Sequence, residues 1–119
     1  EAADADPRSL ELIPALADLM ALDEAGFRRR YGKSAIKRTK RRGLLRNAAI
    51  ALGNSGNPAA IPILERALTD DPEPIVRGHA AWALGQFDHQ SARSTLERVL
   101  GREFDPEVLR EIREALAGA

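Results

Sequence analysis

Asn47-Ala48-Ala49-Ile50-Ala51-Leu52-Gly53 returns thirty-two residues later as His79-Ala80-Ala81-Trp82-Ala83-Leu84-Gly85, and Leu64-Glu65-Arg66-Ala67-Leu68 returns at the same spacing as Leu96-Glu97-Arg98-Val99-Leu100. Two separate matches at one offset identify an internal repeat. A period of this size belongs to stacked helical hairpins, each of which buries its apolar face only against a neighbour. Leu44, Ala48 and Leu52, with Leu45 and Ala49 beside them, make the i, i+4, i+8 stripe of a buried helix face. The alanines let adjacent helices come close.

Turn signals divide the rest. Asn57-Pro58 and Asp105-Pro106 each place a capping side chain before a proline at the first helical position, and Asp88 can cap the helix between them. Gly53 and Gly85 lie near the ends of periodic segments, where a left-handed residue can close a helix, and Gly118 is placed to do the same. Helices are expected near residues 9 to 21, 23 to 31, 40 to 54, 58 to 68, 74 to 86, 89 to 100 and 106 to 117. Abundant Ala and Leu, with only 4% aromatic residues, favour helix over strand. Asp71-Pro72-Glu73-Pro74-Ile75-Val76-Arg77-Gly78-His79-Ala80-Ala81-Trp82-Ala83-Leu84-Gly85 closely resembles the HEAT-repeat consensus, with its acidic-proline start, Val-Arg pair and Ala-rich inner helix. The expected fold is all-α: a HEAT-like repeat α-solenoid of about three helical hairpins with a leading helix. Residues 9–119 form one domain with repeat units of about 40–68, 74–100 and a partial 106–117, and residues 1–8 are a linker or the cut edge of a longer polypeptide.

Charge is distributed unevenly along this neutral chain. From Ala25 to Leu64 there is no Asp or Glu, but ten Lys or Arg: Arg28, Arg29, Arg30, Lys33, Lys37, Arg38, Lys40, Arg41, Arg42 and Arg46. Residues 1 to 24 hold seven acids against Arg8, and residues 65 to 119 hold eleven acids against seven arginines. Local clustering sets the field that a ligand meets, so the basic block points to a polyanion despite the overall neutrality.

Chemistry of other kinds finds little support. With no cysteine, the chain holds no disulfide, thiolate zinc site or iron–sulfur cluster, and a reducing compartment fits. His79 and His89, ten residues apart, are not the i, i+4 pair of a helical metal site. Gly32-Lys33-Ser34 matches only the tail of a phosphate-binding loop, because Phe27 stands where that loop needs glycine. Trp82 is expected to pack between hairpins. No apolar run approaches the length of a membrane helix, so a cytoplasmic protein with no membrane association is expected.

The basic residues remain the candidate site. Lys37, Arg38, Lys40, Arg41 and Arg42 precede or begin the inner helix that Arg46 and Asn47 continue, so cations and a helix amino terminus converge where phosphates can bind. Lys33 lies in the same block. Arg46 and Arg77 are shared between phosphate binding and the bridging of adjacent repeats. His79 occupies the repeat position of Asn47: a satisfied structural histidine or, with Asn47, part of an RNA-facing row.

Phe27-Arg-Arg-Arg-Tyr-Gly32-Lys-Ser34-Ala35-Ile36-Lys37-Arg38-Thr-Lys-Arg41-Arg-Gly43-Leu44-Leu45-Arg46-Asn47 and its continuation to Asn54 resemble the carboxy-terminal region of the tRNA epoxyqueuosine reductases, and Val76 to Gly85 is similar to that family's ending. The resemblance implies a parent with a cobalamin-binding reductase core and two four-iron, four-sulfur clusters, followed by a HEAT-like tail that helps hold the tRNA anticodon stem-loop. It implies further that this chain has no reductase activity and no cofactor of its own, and that the upstream catalytic domain is its partner. Two other classes fit the architecture: a protein-interaction scaffold, and a HEAT-like DNA-binding or glycosylase-type domain, which would need a carboxylate that the acid-free stretch does not offer.

Overall fold

Leu52 and Leu84, thirty-two residues apart, are both fully buried, as are Leu64 and, within 2%, Leu96. The repeat read from the sequence is therefore a repeat of burial. The computed structural model describes residues 7–32 and 40–118, where the elements in order are α1 (Pro7–Met20), α2 (Glu24–Tyr31), α3 (Lys40–Asn54), α4 (Ala60–Asp70), α5 (Pro74–Leu84), α6 (Gln90–Leu100) and α7 (Pro106–Ala117). No strand occurs among the described residues.

The inner helices α3, α5 and α7 pack side by side, and the outer helices α4 and α6 cover them. Helix α4 packs on α5 and α6, and α1 packs in the same way on α3 and α4. The leading helix thus takes the place of the outer helix of a preceding hairpin. Buried Ile13, Leu16 and Met20 on α1 join one continuous core with Leu45, Leu64, Val76, Val108 and Ile112.

Small residues govern the spacing between inner helices, in a different role from the one expected of them. Gly85 has φ −65° and Gly118 φ −75°, both right-handed, and Gly53 lies inside α3. A β-carbon on Gly53 would come within 2.8 Å of Ala83 Cβ, and one on Gly85 within 2.8 Å of Ala115 Cβ. The same contact recurs one repeat later. Glycine stands there because a neighbouring backbone passes too close for a side chain. The left-handed turn after α3 falls instead to Gly56, at φ +68°.

Helix starts confirm one expected cap and move two. Asp105 accepts from the amides of Glu107 (2.9 Å) and Val108 (3.1 Å), with Pro106 opening α7. Asn57 Oδ1 accepts from Ala59 N at 2.9 Å, but Pro58 and Ala59 form a turn and α4 begins at Ala60. Pro62 then falls in the first turn, where its missing N–H had no intrahelical partner to lose. Asp88 does not cap α6; His89 Nδ1 accepts from Ser91 N at 3.2 Å.

Trp82 is partly buried against the core, its ring edge at the Gly53 contact, as expected of a packing residue. No described helix is long and apolar enough to cross a membrane.

Candidate nucleic-acid interface

Two carboxylates, Asp71 and Glu103, sit at one repeat position in the loops between successive hairpins. Asp71 Oδ1 accepts from Glu73 N, and Glu103 Oε2 accepts from Asp105 N, each at 3.0 Å and each carboxylate three residues before the first residue of an inner helix. Each carboxylate also receives a bidentate arginine from the preceding inner helix. Arg77 donates through Nε and Nη2 to Glu103, both at 3.0 Å, and through Nη1 to the Asp71 carbonyl at 2.9 Å. Arg41 donates through Nη1 (3.2 Å) and Nη2 to Asp71, and through Nε to the Leu22 carbonyl at 2.7 Å. Each arginine thus joins the carbonyl of one inter-repeat loop to the carboxylate of the next.

This geometry settles which arginines bridge. Arg77 does, as its pattern allowed, but its counterpart is Arg41 and not Arg46. Arg41 is only 5% exposed and Asp71 8%, so Arg41 does not stand on the surface with its neighbours as a phosphate ligand would. It enters the bridge one helical turn earlier than the repeat spacing from Arg77 would place it, where Leu45 fills the core. Counting charges along the sequence could not reveal this, because the partner comes from thirty residues away.

The Arg77 hydrogen bond, opposed by burial, holds the Glu103 carboxyl below its ordinary range, and Arg77 is raised in turn, chiefly by the same bond. A depressed folded value means that the stabilisation is complete above the unfolded value and is lost as pH falls through the folded one. Thermal melts across the acidic range should therefore show stability falling, and Glu103→Gln should flatten that fall. A parallel curve for the variant would contradict this coupling.

The remaining cations concentrate on an insertion. The connections before α5 and α7 are short, whereas the one before α3 leaves Leu22, includes α2 and returns at Lys40. Asp23 caps α2 by accepting from Gly26 N at 2.7 Å, Phe27 is buried, and its ring lies 5.3 Å from that of Tyr31, over which Arg30 sits at 5.4 Å. Arg28, Arg29 and Arg30 are exposed in the last turn, and Lys40 and Arg42 are exposed where α3 begins. Between Arg28 and the start of α3 opens a cleft of about 400 Å³ lined by Phe27, Arg28, Lys40, Arg42, Glu24 and Glu73, with Arg41 at its floor. Glu24 pairs with Arg28 at 3.5 Å, but both are well exposed, so the pair is weak and open to exchange. Lys33, Lys37 and Arg38 lie outside the described residues.

Asn47, His79 and Glu111 occupy one repeat position on the three inner helices. Asn47 is exposed and accepts from Arg46 Nε at 3.3 Å. His79 Nδ1 lies 2.9 Å from the Ile75 carbonyl, which can only accept, so Nδ1 is the donor of this bond and the residue's own helix satisfies it. It lines a cleft with Asp105, Glu107, Arg110 and Glu111, so its charged neighbours are mostly acidic. The row changes from amide to imidazole to carboxylate along the solenoid.

Iron–sulfur clusters require thiolates, which a sequence with no cysteine does not supply, and no group of His, Asp or Glu that could hold a metal occurs among the described residues.

The family model for HEAT repeats matches residues 33–117. An epoxyqueuosine reductase of Bacillus cereus is 36% identical over 107 residues, covering 89% of this chain and 28% of that protein. One from Xanthomonas campestris is 41% identical over 75 residues, 62% of this chain and 21% of that protein. A crystal structure of epoxyqueuosine reductase with a tRNA-Tyr epoxyqueuosine-modified tRNA stem loop matches at a TM-score of 0.79 and 30% identity, over 87% of this chain and 28% of that one. The chain spans little more than a quarter of the length of such relatives.

Proposed function

Since this chain belongs to the HEAT-repeat family, we propose that it is the RNA-holding solenoid of an epoxyqueuosine reductase, gripping the tRNA anticodon stem-loop through the inserted basic edge. The observation that carries this reading is the acid-free block from Ala25 to Leu64, whose exposed cations Arg28, Lys40 and Arg42 line one opening, with Arg29 and Arg30 exposed on the same helix as Arg28. Insertions in a repeat array collect on one face, often the binding face. The likeness to a relative solved with a tRNA stem loop supports the choice of RNA.

In this reading the chain binds and orients while reduction of the epoxide, with the cobalamin and clusters it needs, belongs to the rest of a longer polypeptide. A folded stem-loop is held through shape and phosphates more than through base edges. Lys33, Lys37, Arg38, Lys40, Arg42 and Arg46 are the proposed phosphate ligands, joined by the exposed Arg28, Arg29 and Arg30. Asn47, bonded to Arg46 on α3, and His79, at the same position one repeat on, complete the proposed set. Arg41 leaves the set, because its guanidinium is taken by Asp71 and Leu22.

Lys40→Ala combined with Arg42→Ala, in the full polypeptide, is expected to weaken stem-loop binding about tenfold and to flatten the dependence of log affinity on log salt by about 1.5. Melting temperature should hardly move, since both residues are exposed. Fluorescence anisotropy over a salt series measures both quantities. An unchanged salt slope would retire the proposal.

A further inference from the structure

Phe104 is 92% exposed, whereas the other exposed large apolar side chains described, Leu12 and Ile75, are 46% and 38%. It lies in the loop between α6 and α7, at the repeat position of Pro72 in the connection before α5 and of Lys40 at the start of α3. The exposed ring therefore stands on the same edge as the basic insertion, two inner helices along, a span of about 16–20 Å at ordinary helix spacing.

Beside it opens a cleft of about 520 Å³, lined in part by Leu68, Thr69, Pro74 and Arg102. Its carboxylates are already engaged: Asp71 by Arg41 and Glu73 N, Glu103 by Arg77 and Asp105 N, and Asp105 by the first amides of α7. Arg102 is different. Its Nη2 donates to the Thr69 carbonyl at 2.6 Å, which fixes the guanidinium at the rim without neutralising it, and exposed Arg98 reaches the Thr69 hydroxyl at 3.4 Å. Arg102 and Arg98 thus bring two cations with no carboxylate partner to this edge, beside an Asp105 that keeps its charge while held by the α7 amides, although residues 65 to 119 hold more acids than bases.

We propose that Phe104 and Arg102 form a subsite for an unpaired nucleotide, the ring stacking on the base and the guanidinium meeting its phosphate. This rests on the RNA reading above and extends it from phosphates to a nucleobase. A protein-docking face would present a contiguous apolar patch, but Phe104 is flanked by Glu103 and Asp105, with Arg102 beside them. An aromatic ring next to arginine is instead the usual platform for a single-stranded base. At 92% exposure Phe104 contributes almost nothing to the core, so its presence calls for an external partner.

The test uses the full polypeptide with two RNAs, a stem-loop and a blunt duplex of the same stem. Phe104→Ala is expected to weaken stem-loop binding about tenfold and leave duplex binding unchanged, with Phe104→Tyr restoring most of the loss. Arg102→Ala should reduce the salt slope by about one phosphate. Stem-loop affinity unchanged in Phe104→Ala but lowered in Lys40→Ala/Arg42→Ala would overturn the subsite and leave the RNA reading standing. Equal loss on both RNAs would also overturn it, as would a loss confined to association with another protein. Absence of RNA binding by the unaltered protein would remove both inferences.

Discussion

Arg41→Ala should lower the stability of the fold by about 3–5 kcal/mol, because it strands the buried Asp71 carboxylate without its partner. For a domain of this size that corresponds to a melting temperature lower by about 15 °C or more. Denaturant titration of the variant beside Arg42→Ala makes the contrast sharp. Arg42 is exposed, and its removal should change stability by no more than about 0.5 kcal/mol. Asp71→Asn should also destabilise, since it weakens the hold on Arg41, and the double variant should lose less than the sum of the two singles. If Arg41→Ala and Arg42→Ala unfold at the same denaturant concentration, the bridge is not what joins these repeats. The same contrast is a practical guide: a cluster of alanine substitutions that included Arg41 would confuse lost folding with lost RNA binding.

Gly53→Val should cost about 3 kcal/mol. Its first added carbon would meet Ala83 Cβ at 2.8 Å and Ala83 Cα at 2.9 Å, and a backbone atom cannot swing aside as a long side chain can. Helix α5 would have to move off α3, which disturbs the main contact between the first two hairpins. Gly85, with Ala115 Cβ at 2.8 Å and Cα at 3.1 Å, should respond similarly. Gly56 provides the control: nothing lies within 4 Å of a β-carbon there, so Gly56→Ala should cost only the strain of its φ of +68°, about 1–2 kcal/mol. Equal losses at Gly53 and Gly56 in chemical unfolding would mean that crowding between inner helices is not what selects glycine.

Most of the architecture was legible because it follows from periodicity. Leu44, Ala48 and Leu52 marked the buried side of α3, and repetition at one offset carried the reading to α5 and on to the α7 start that Asp105 and Pro106 signalled. Cap identity was less legible, since His89 and Asp88 are adjacent and both can accept from an amide. The glycines were misread for a related reason: a residue without a side chain suits a left-handed turn and a close crossing equally, and only the position of Ala83 separates the two. In the candidate site, sequence reading located the charged block but not how it divides. Nothing near Arg41 in the chain distinguishes it from Arg42; the distinction comes from Asp71, brought over by the stacking of the second hairpin on the first. Phe104 was missed because a lone phenylalanine in an apolar-rich chain passes for core. Its neighbours Glu103 and Asp105, both committed to the bridge and the cap, were the available hint that it points outward.

The bond from Arg41 Nε to the Leu22 carbonyl has a consequence for how such a protein can change over time. Leu22 and Arg41 are the two feet of the inserted segment, and that bond clasps them at 2.7 Å while Asp71 anchors the clasp to the next hairpin. What lies between the feet is then closed by the fold itself, and lengthening a closed loop is thermodynamically mild, about 0.6 kcal/mol for each doubling. The solenoid behaves as a frame with a mount: exposed residues between the feet, such as Arg28, Arg29 and Arg30, can be exchanged or recharged to suit a different polyanion while buried Phe27 and the packing beneath stay as they are.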